Sequence, residues 1–61
     1  MKHDIVIEGG GCNDGICSVK MWCNVCKIDV PVETHWASGR DEWASVGDVV
    51  VAANAHMNAN P

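Results

Sequence analysis

The chain has 61 residues, a formal net charge of −4 and a hydrophobic fraction of 48%, which confines it to one domain whose core alone is a marginal source of stability. Its fixed cations, Lys2, Lys20, Lys27 and Arg40, are scattered among eight acids, so the clustered charge that phosphate backbones require is missing and nucleic acid is a poor candidate partner, a local face of Lys20 and Lys27 excepted. The opening "MKHDIVIEGG" has no continuous apolar run; it reads as neither a secretory signal nor a membrane span, and the expected location is the cytoplasm, with no membrane association.

In chain order, "HDIVIE" (residues 3–8) alternates as a short strand with Ile5 and Ile7 on one face, and Gly9, Gly10 and Gly11 are expected to end it. His3 falls at the frayed start of this strand and reads as a solvated side chain. "NDG" (13–15) is a turn signal. "ICSVKMW" and "KIDVPVET" then read as strands on either side of "CNVC". Cys17, Val19, Met21 and Cys23 share a face of the first; Cys26, Ile28, Val30, Val32 and Thr34 share a face of the second. Both faces meet one core if "CNVC" reverses the chain. Pro31, lacking a donor, places the second strand at a sheet edge, and "HWASGR" (35–40) is a link.

The last third carries mixed signals. Ser38 or Asp41 is available as an N-cap, Asp41 and Glu42 suit a first turn, and Trp43, Val46, Val50, Ala53 and Met57 recur at helical spacing. Gly47 and the run Val49–Val51 oppose a helix. The balance predicts a helix over about 41–57, and the three tryptophans, Trp22, Trp36 and Trp43, with no Phe or Tyr beside them, are expected to dominate the core.

All four cysteines lie between positions 12 and 26. A C-x2-C unit between two strands lets two thiolates converge on one ion while backbone amides point at the sulfurs, and a tetrahedral structural site then needs two further ligands. Cys12 and Cys17 form a C-x4-C unit close by. In a reducing compartment this pattern favours metal over disulfides, and the ligand set expected is Cys12, Cys17, Cys23 and Cys26 around one Zn²⁺. Only five residues separate Cys17 from Cys23, however, where zinc ribbons place about 12–20 between ligand pairs. A second set keeps Cys23 and Cys26 and adds His56 from the helix with one of Cys12, Cys17 or His35. His35 also reads as a turn residue, and His56 as a residue packed on the sheet. Iron–sulfur ligation through Cys17, Cys23 and Cys26 lacks a downstream fourth cysteine.

Residues 12–26 with the trailing helix resemble the small zinc-ribbon and zinc-finger-like proteins of bacteria and their phages. That resemblance implies a small α+β fold, a metal-stapled β-hairpin (a zinc knuckle) with a short N-terminal strand and a C-terminal helix, serving as a non-catalytic module that binds a larger protein. Trp36 is the candidate contact residue, since tryptophan is favoured at such surfaces. Against an enzyme, Asp41 and Glu42 are adjacent and point apart, no serine has a base, and "GGG" lacks the rest of a phosphate loop. The alternatives are a disulfide-stapled domain, a nucleic-acid-binding finger and a dithiol redox protein. The last is disfavoured because "CNVC" runs into a strand, whereas reactive C-x2-C thiols open a helix.

Overall fold

A computed structural model describes residues 2–12, 15–36 and 42–61. The chain is a small α+β fold: β1 (Ile5–Cys12), β2 (Gly15–Cys23), β3 (Ile28–Asp29), β4 (His35–Trp36), β5 (Glu42–Ala44) and α1 (Val46–Ala59). The NDG turn residues Asn13 and Asp14, the candidate caps Ser38 and Asp41, and the link 37–40 lie outside the described residues.

β2 is the central strand of an antiparallel sheet. β1 pairs along its whole length, from Ile5 opposite Cys23 to Cys12 opposite Gly15. Its other edge is shared: β5 takes one end (Ile16–Ala44, Cys17–Trp43) and β3 takes the other (Trp22–Asp29, Cys23–Ile28). β4 adds outside β5. The molecule is accordingly elongated, 37 × 16 × 15 Å.

The three glycines do not end β1, as expected from the sequence, but lie within it. The reason is a bulge. Pairing shifts between Glu8 and Gly10, Ser18 on β2 takes φ 54°, and a Cβ on Gly9 would stand 2.7 Å from Ile16 Cγ2 and 3.0 Å from the Cys17 carbonyl oxygen. The bulged strand presses so close that only glycine fits opposite it. The second expected strand is also shorter than its pattern, ending at Asp29 before Pro31.

Ser45, not a residue near 41, caps α1. Its hydroxyl accepts from the Asp48 N–H at 3.1 Å while the Asp48 carboxylate accepts from the Ser45 N–H at 3.0 Å, a reciprocal capping box. Gly47 thus falls in the first turn, where it does little harm. The helix is rotated from the expected stripe: Val49, Ala52 and His56 are its buried residues, whereas Val46 and Val50 are 69% and 51% exposed and Trp43 belongs to β5.

The core joins Met21 and Cys23 of β2, Ala44 of β5, Val30, and Val49 and Ala52 of α1. No tryptophan is in it. Trp22 and Trp43 are half-buried and Trp36 is exposed, which corrects the tryptophan-centred expectation; Ile28 too is exposed despite its strand alternation. Small residues at Ala44 and Ala52 let helix and sheet approach where an indole would hold them apart. Among the described residues no helix is long and apolar enough to cross a membrane.

Candidate metal centre

The end of β2 builds the site. Cys23, fully buried, is its last residue, and the turn Asn24–Lys27 returns the chain: Lys27 N–H donates to the Cys23 carbonyl at 2.8 Å with Lys27 at φ 60°. This curl aims the Cys26 N–H at Cys23 Sγ, 3.4 Å away, and carries Cys26 Sγ to the same side. The adjoining strand extends over the turn, because Asn24 N–H donates to the Asp4 carbonyl at 2.9 Å and Asn24 Nδ2 donates to Asp4 Oδ2 at 3.3 Å. His3, one residue earlier, is thereby set above both thiols, with Nδ1 3.5 Å from Cys26 Sγ and 3.8 Å from Cys23 Sγ.

His56 arrives from the last turn of α1 on its buried face. Its ring meets that of His3 edge to face, centroids 4.9 Å apart. The donor atoms of His3, Cys23, Cys26 and His56 all lie within 4.8 Å of one another, an arrangement that can hold a metal ion.

Two features of hydrogen bonding prepare these histidines. His3 Nε2 stands 2.7 Å from the Asn60 carbonyl oxygen. A carbonyl only accepts, so Nε2 carries the proton and Nδ1 presents its lone pair to the thiols, the outer-atom control of tautomer seen around metal-bound histidines. His56 Nε2 is buried with no hydrogen-bond partner. The neighbouring Asn60 Nδ2 instead donates to the His56 carbonyl at 2.8 Å and stands 3.4 Å from Nδ1. A buried polar atom without a partner is costly, and a cation among these four atoms would supply one.

The thiols differ. Burial pushes the Cys23 thiol up, but the backbone at Asp4 and Cys26 and the neighbouring imidazoles of His3 and His56 outweigh it and bring the group down to about 5. Cys26 is raised, by burial first and then by its hydrogen bond and charge interaction with Cys23. Of the pair, Cys23 is therefore the readier to ionise, and its charge holds the proton on Cys26.

The four cysteines do not converge. Cys12 and Cys17 form a disulfide with each other, Cα atoms 6.0 Å apart, while Cys23 and Cys26 are free. Six steps of extended strand, roughly 20 Å, carry the chain from Cys17 to Cys23, so one ion cannot reach both pairs. That length corrects the set Cys12, Cys17, Cys23, Cys26: the residues gathered beside Cys23 and Cys26 are His3 and His56. His56 was foreseen as an alternative ligand. His3 was not, and its only advance signal was a strand register placing residue 3 beside the C-x2-C turn. His35 is elsewhere, at the other end of α1, with Nε2 3.0 Å from Asp48 Oδ2 and its ring on Trp43 at 4.7 Å. Trp36 is 67% exposed on the edge strand β4.

No protein-family model, curated protein or solved structure matches this chain. Family membership is therefore not a source of argument, the resemblance to zinc-ribbon proteins gains no support from comparison, and function has to be argued from the cluster itself.

Proposed function

We propose that this chain is a small zinc-binding domain in which His3 Nδ1, Cys23 Sγ, Cys26 Sγ and His56 Nε2 hold one Zn²⁺ in a structural, non-catalytic site. The observation that carries this reading is the buried, partnerless Nε2 of His56 beside two free thiols and an imidazole lone pair already turned toward them. Tetrahedral zinc, with bonds of about 2.3 Å to sulfur and about 2.0 Å to nitrogen, sets ligand atoms roughly 3.3–3.8 Å apart. The contacts of His3 with both sulfurs, 3.5 and 3.8 Å, already have that spacing. Charge supports a divalent ion as well. Two thiolates and two neutral imidazoles around Zn²⁺ sum to zero, which a largely buried site tolerates far better than an excess charge. Four protein ligands leave no open position for substrate, hence the structural role.

As a module of this kind the chain would act by presenting a surface to a larger protein, and Trp36 is the residue we assign to that contact. Its 67% exposure gives it little to do in folding. Native mass spectrometry with and without a chelator tests the zinc reading: the expected result is one zinc per chain, retained by Cys12→Ser/Cys17→Ser and lost from Cys23→Ser and His56→Ala. Zinc held by the wild type but released by the Cys12→Ser/Cys17→Ser variant would overturn the ligand assignment.

A further inference from the structure

The two cysteine pairs sit at opposite ends of one ribbon, β1 with β2, in different company. At the distal end, strand register brings Cys12 and Cys17 together diagonally, since Cys12 pairs with Gly15 and Gly10 with Cys17. Their Cα separation of 6.0 Å falls within the range a disulfide spans, about 4.4–6.8 Å. Cys12 is exposed, and among the described residues its sulfur also meets the Gly15 carbonyl, at 3.6 Å. Among the described residues the metal-capable cluster lies at the proximal end, and none of those residues gives this pair an imidazole or carboxylate to complete an ion's shell. At the proximal end Cys23 and Cys26 have two imidazoles within reach, and Cys23 is buried. About 20 Å of strand keeps the pairs from exchanging with each other in the native fold.

We propose that bound zinc sorts the four thiols: in the presence of a small disulfide such as oxidised glutathione, Cys12 and Cys17 close into a disulfide while Cys23 and Cys26 stay reduced on the ion. This rests on the zinc reading above. The chemistry balances as two successive exchanges. One thiolate of the distal pair attacks a glutathione sulfur, breaking the glutathione S–S bond, forming a mixed disulfide and releasing one glutathione thiol. The second thiolate then attacks the protein sulfur of that intermediate and releases the other glutathione. The two protons end on the two glutathiones, which are reduced as the cysteines are oxidised. At the proximal pair the attacking electron pairs are engaged by zinc and Cys23 is shielded from solvent, so the first step is blocked. Without the ion, two sulfurs three residues apart are themselves a good dithiol. Zinc is then a guard that suits the chain to surroundings that oxidise thiols, where disulfides persist.

The test starts from fully reduced protein, either loaded with one equivalent of Zn²⁺ or held in chelator, and exposes each sample to oxidised glutathione. Native intact mass before quenching, which reads the bound metal, and intact mass with alkylation mapping after acid quench, which read the thiols, are the readouts. Zinc-loaded protein is expected to lose two hydrogens, keep its metal, and alkylate only at Cys23 and Cys26, whereas chelated protein loses four or carries glutathione on the proximal pair. Zinc-loaded Cys12→Ser/Cys17→Ser should lose none. The proposal is overturned if Cys23 and Cys26 oxidise equally fast with zinc bound, or if Cys12 and Cys17 stay reduced in the loaded protein. Failure of the underlying reading shows separately, as no zinc adduct before any oxidant is added, and it takes this proposal with it.

Discussion

His56 shows how a single side chain changes meaning with its surroundings. On an isolated helix it would be an ordinary polar residue beside an apolar stripe; here it is buried, and its Nε2 has no partner. Loss of either imidazole should weaken zinc binding by more than about 100-fold, beyond the 10–100-fold typical for outer-shell partners; competition with a chromophoric chelator for His3→Ala and His56→Ala checks this. Proton release gives an independent test. With Cys23 brought down to about 5 and Cys26 raised by the neighbouring Cys23 charge, the thiols together should release about one proton per zinc near neutral pH. Below pH about 5 both must deprotonate, the thiol contribution rises toward two, and affinity falls more steeply with acid. Calorimetry in two buffers of different ionisation enthalpy measures that number. Three of the four residues of this cluster are legible in the sequence: C-x2-C defines its own turn through short-range geometry, and His56 is offered by the expected helix as an alternative ligand. Cys12 and Cys17 misled because C-x4-C suits an ion or a disulfide equally well, and only the register of β1 on β2 decides. His3 was hidden because its place depends on a backbone link between Asp4 and Asn24 across twenty residues.

At the scale of elements, α1 illustrates what apolar periodicity misses. The spacing Val46, Val50, Ala53, Met57 is a good helical stripe, yet the helix turns Val49, Ala52 and His56 inward. A reading that counts only apolar residues passes over a face whose anchor is a histidine. The start of the helix is better determined by chemistry, since Ser45 and Asp48 have the spacing of a capping box. Replacing Ser45 by Ala should cost about 1 kcal/mol, measurable as a lower urea midpoint. Asp48 adds a pH dependence. Hydrogen bonds from Ser45, and then from His35, hold its carboxyl below the usual range, so the ionised form is favoured by folding. The stabilisation is present above the unfolded value of about 3.9 and is lost as pH falls through the lower folded one. Asp48→Asn should remove that acid-side slope, compared with wild type by urea titration of metal-free protein at neutral pH and below pH about 4. In the ribbon, Gly15 has φ 145° and a Cβ there would strike the Ala44 carbonyl. Gly15→Ala should therefore destabilise by about 1–3 kcal/mol.

For the molecule as a whole, the two sulfur pairs restrain different things. The disulfide ties two neighbouring strands that are already paired, whereas the metal-capable cluster brings together the segment before β1, the turn after β2 and the end of α1. Packing alone joins the last of these poorly. Between the C-terminal half of the helix (Ala52, Ala55, Ala59) and Ile28–Pro31 runs an apolar cleft of about 260 Å³, so small side chains on that face leave a gap where larger ones would have made contact. The helix is instead pinned at its ends, by the Ser45–Asp48 box with His35 at the start and by His56, with Asn60 accepting from His3, at the finish. On the proposed reading, removing zinc withdraws one pin only. The expected consequence is unequal loosening: in chelator, amide hydrogens donated in the last turns of α1 should exchange much faster than in zinc-loaded protein. Those at Val49 and Val50, next to the cap, with Val49 in the core beside Met21 and Ala44, should change least. Hydrogen exchange followed by mass spectrometry resolves the two halves. Uniform loss of protection along α1 would mean the ion supports the entire domain, as in fingers that are unfolded without metal; no change at its end would mean His56 is held by packing and not by zinc.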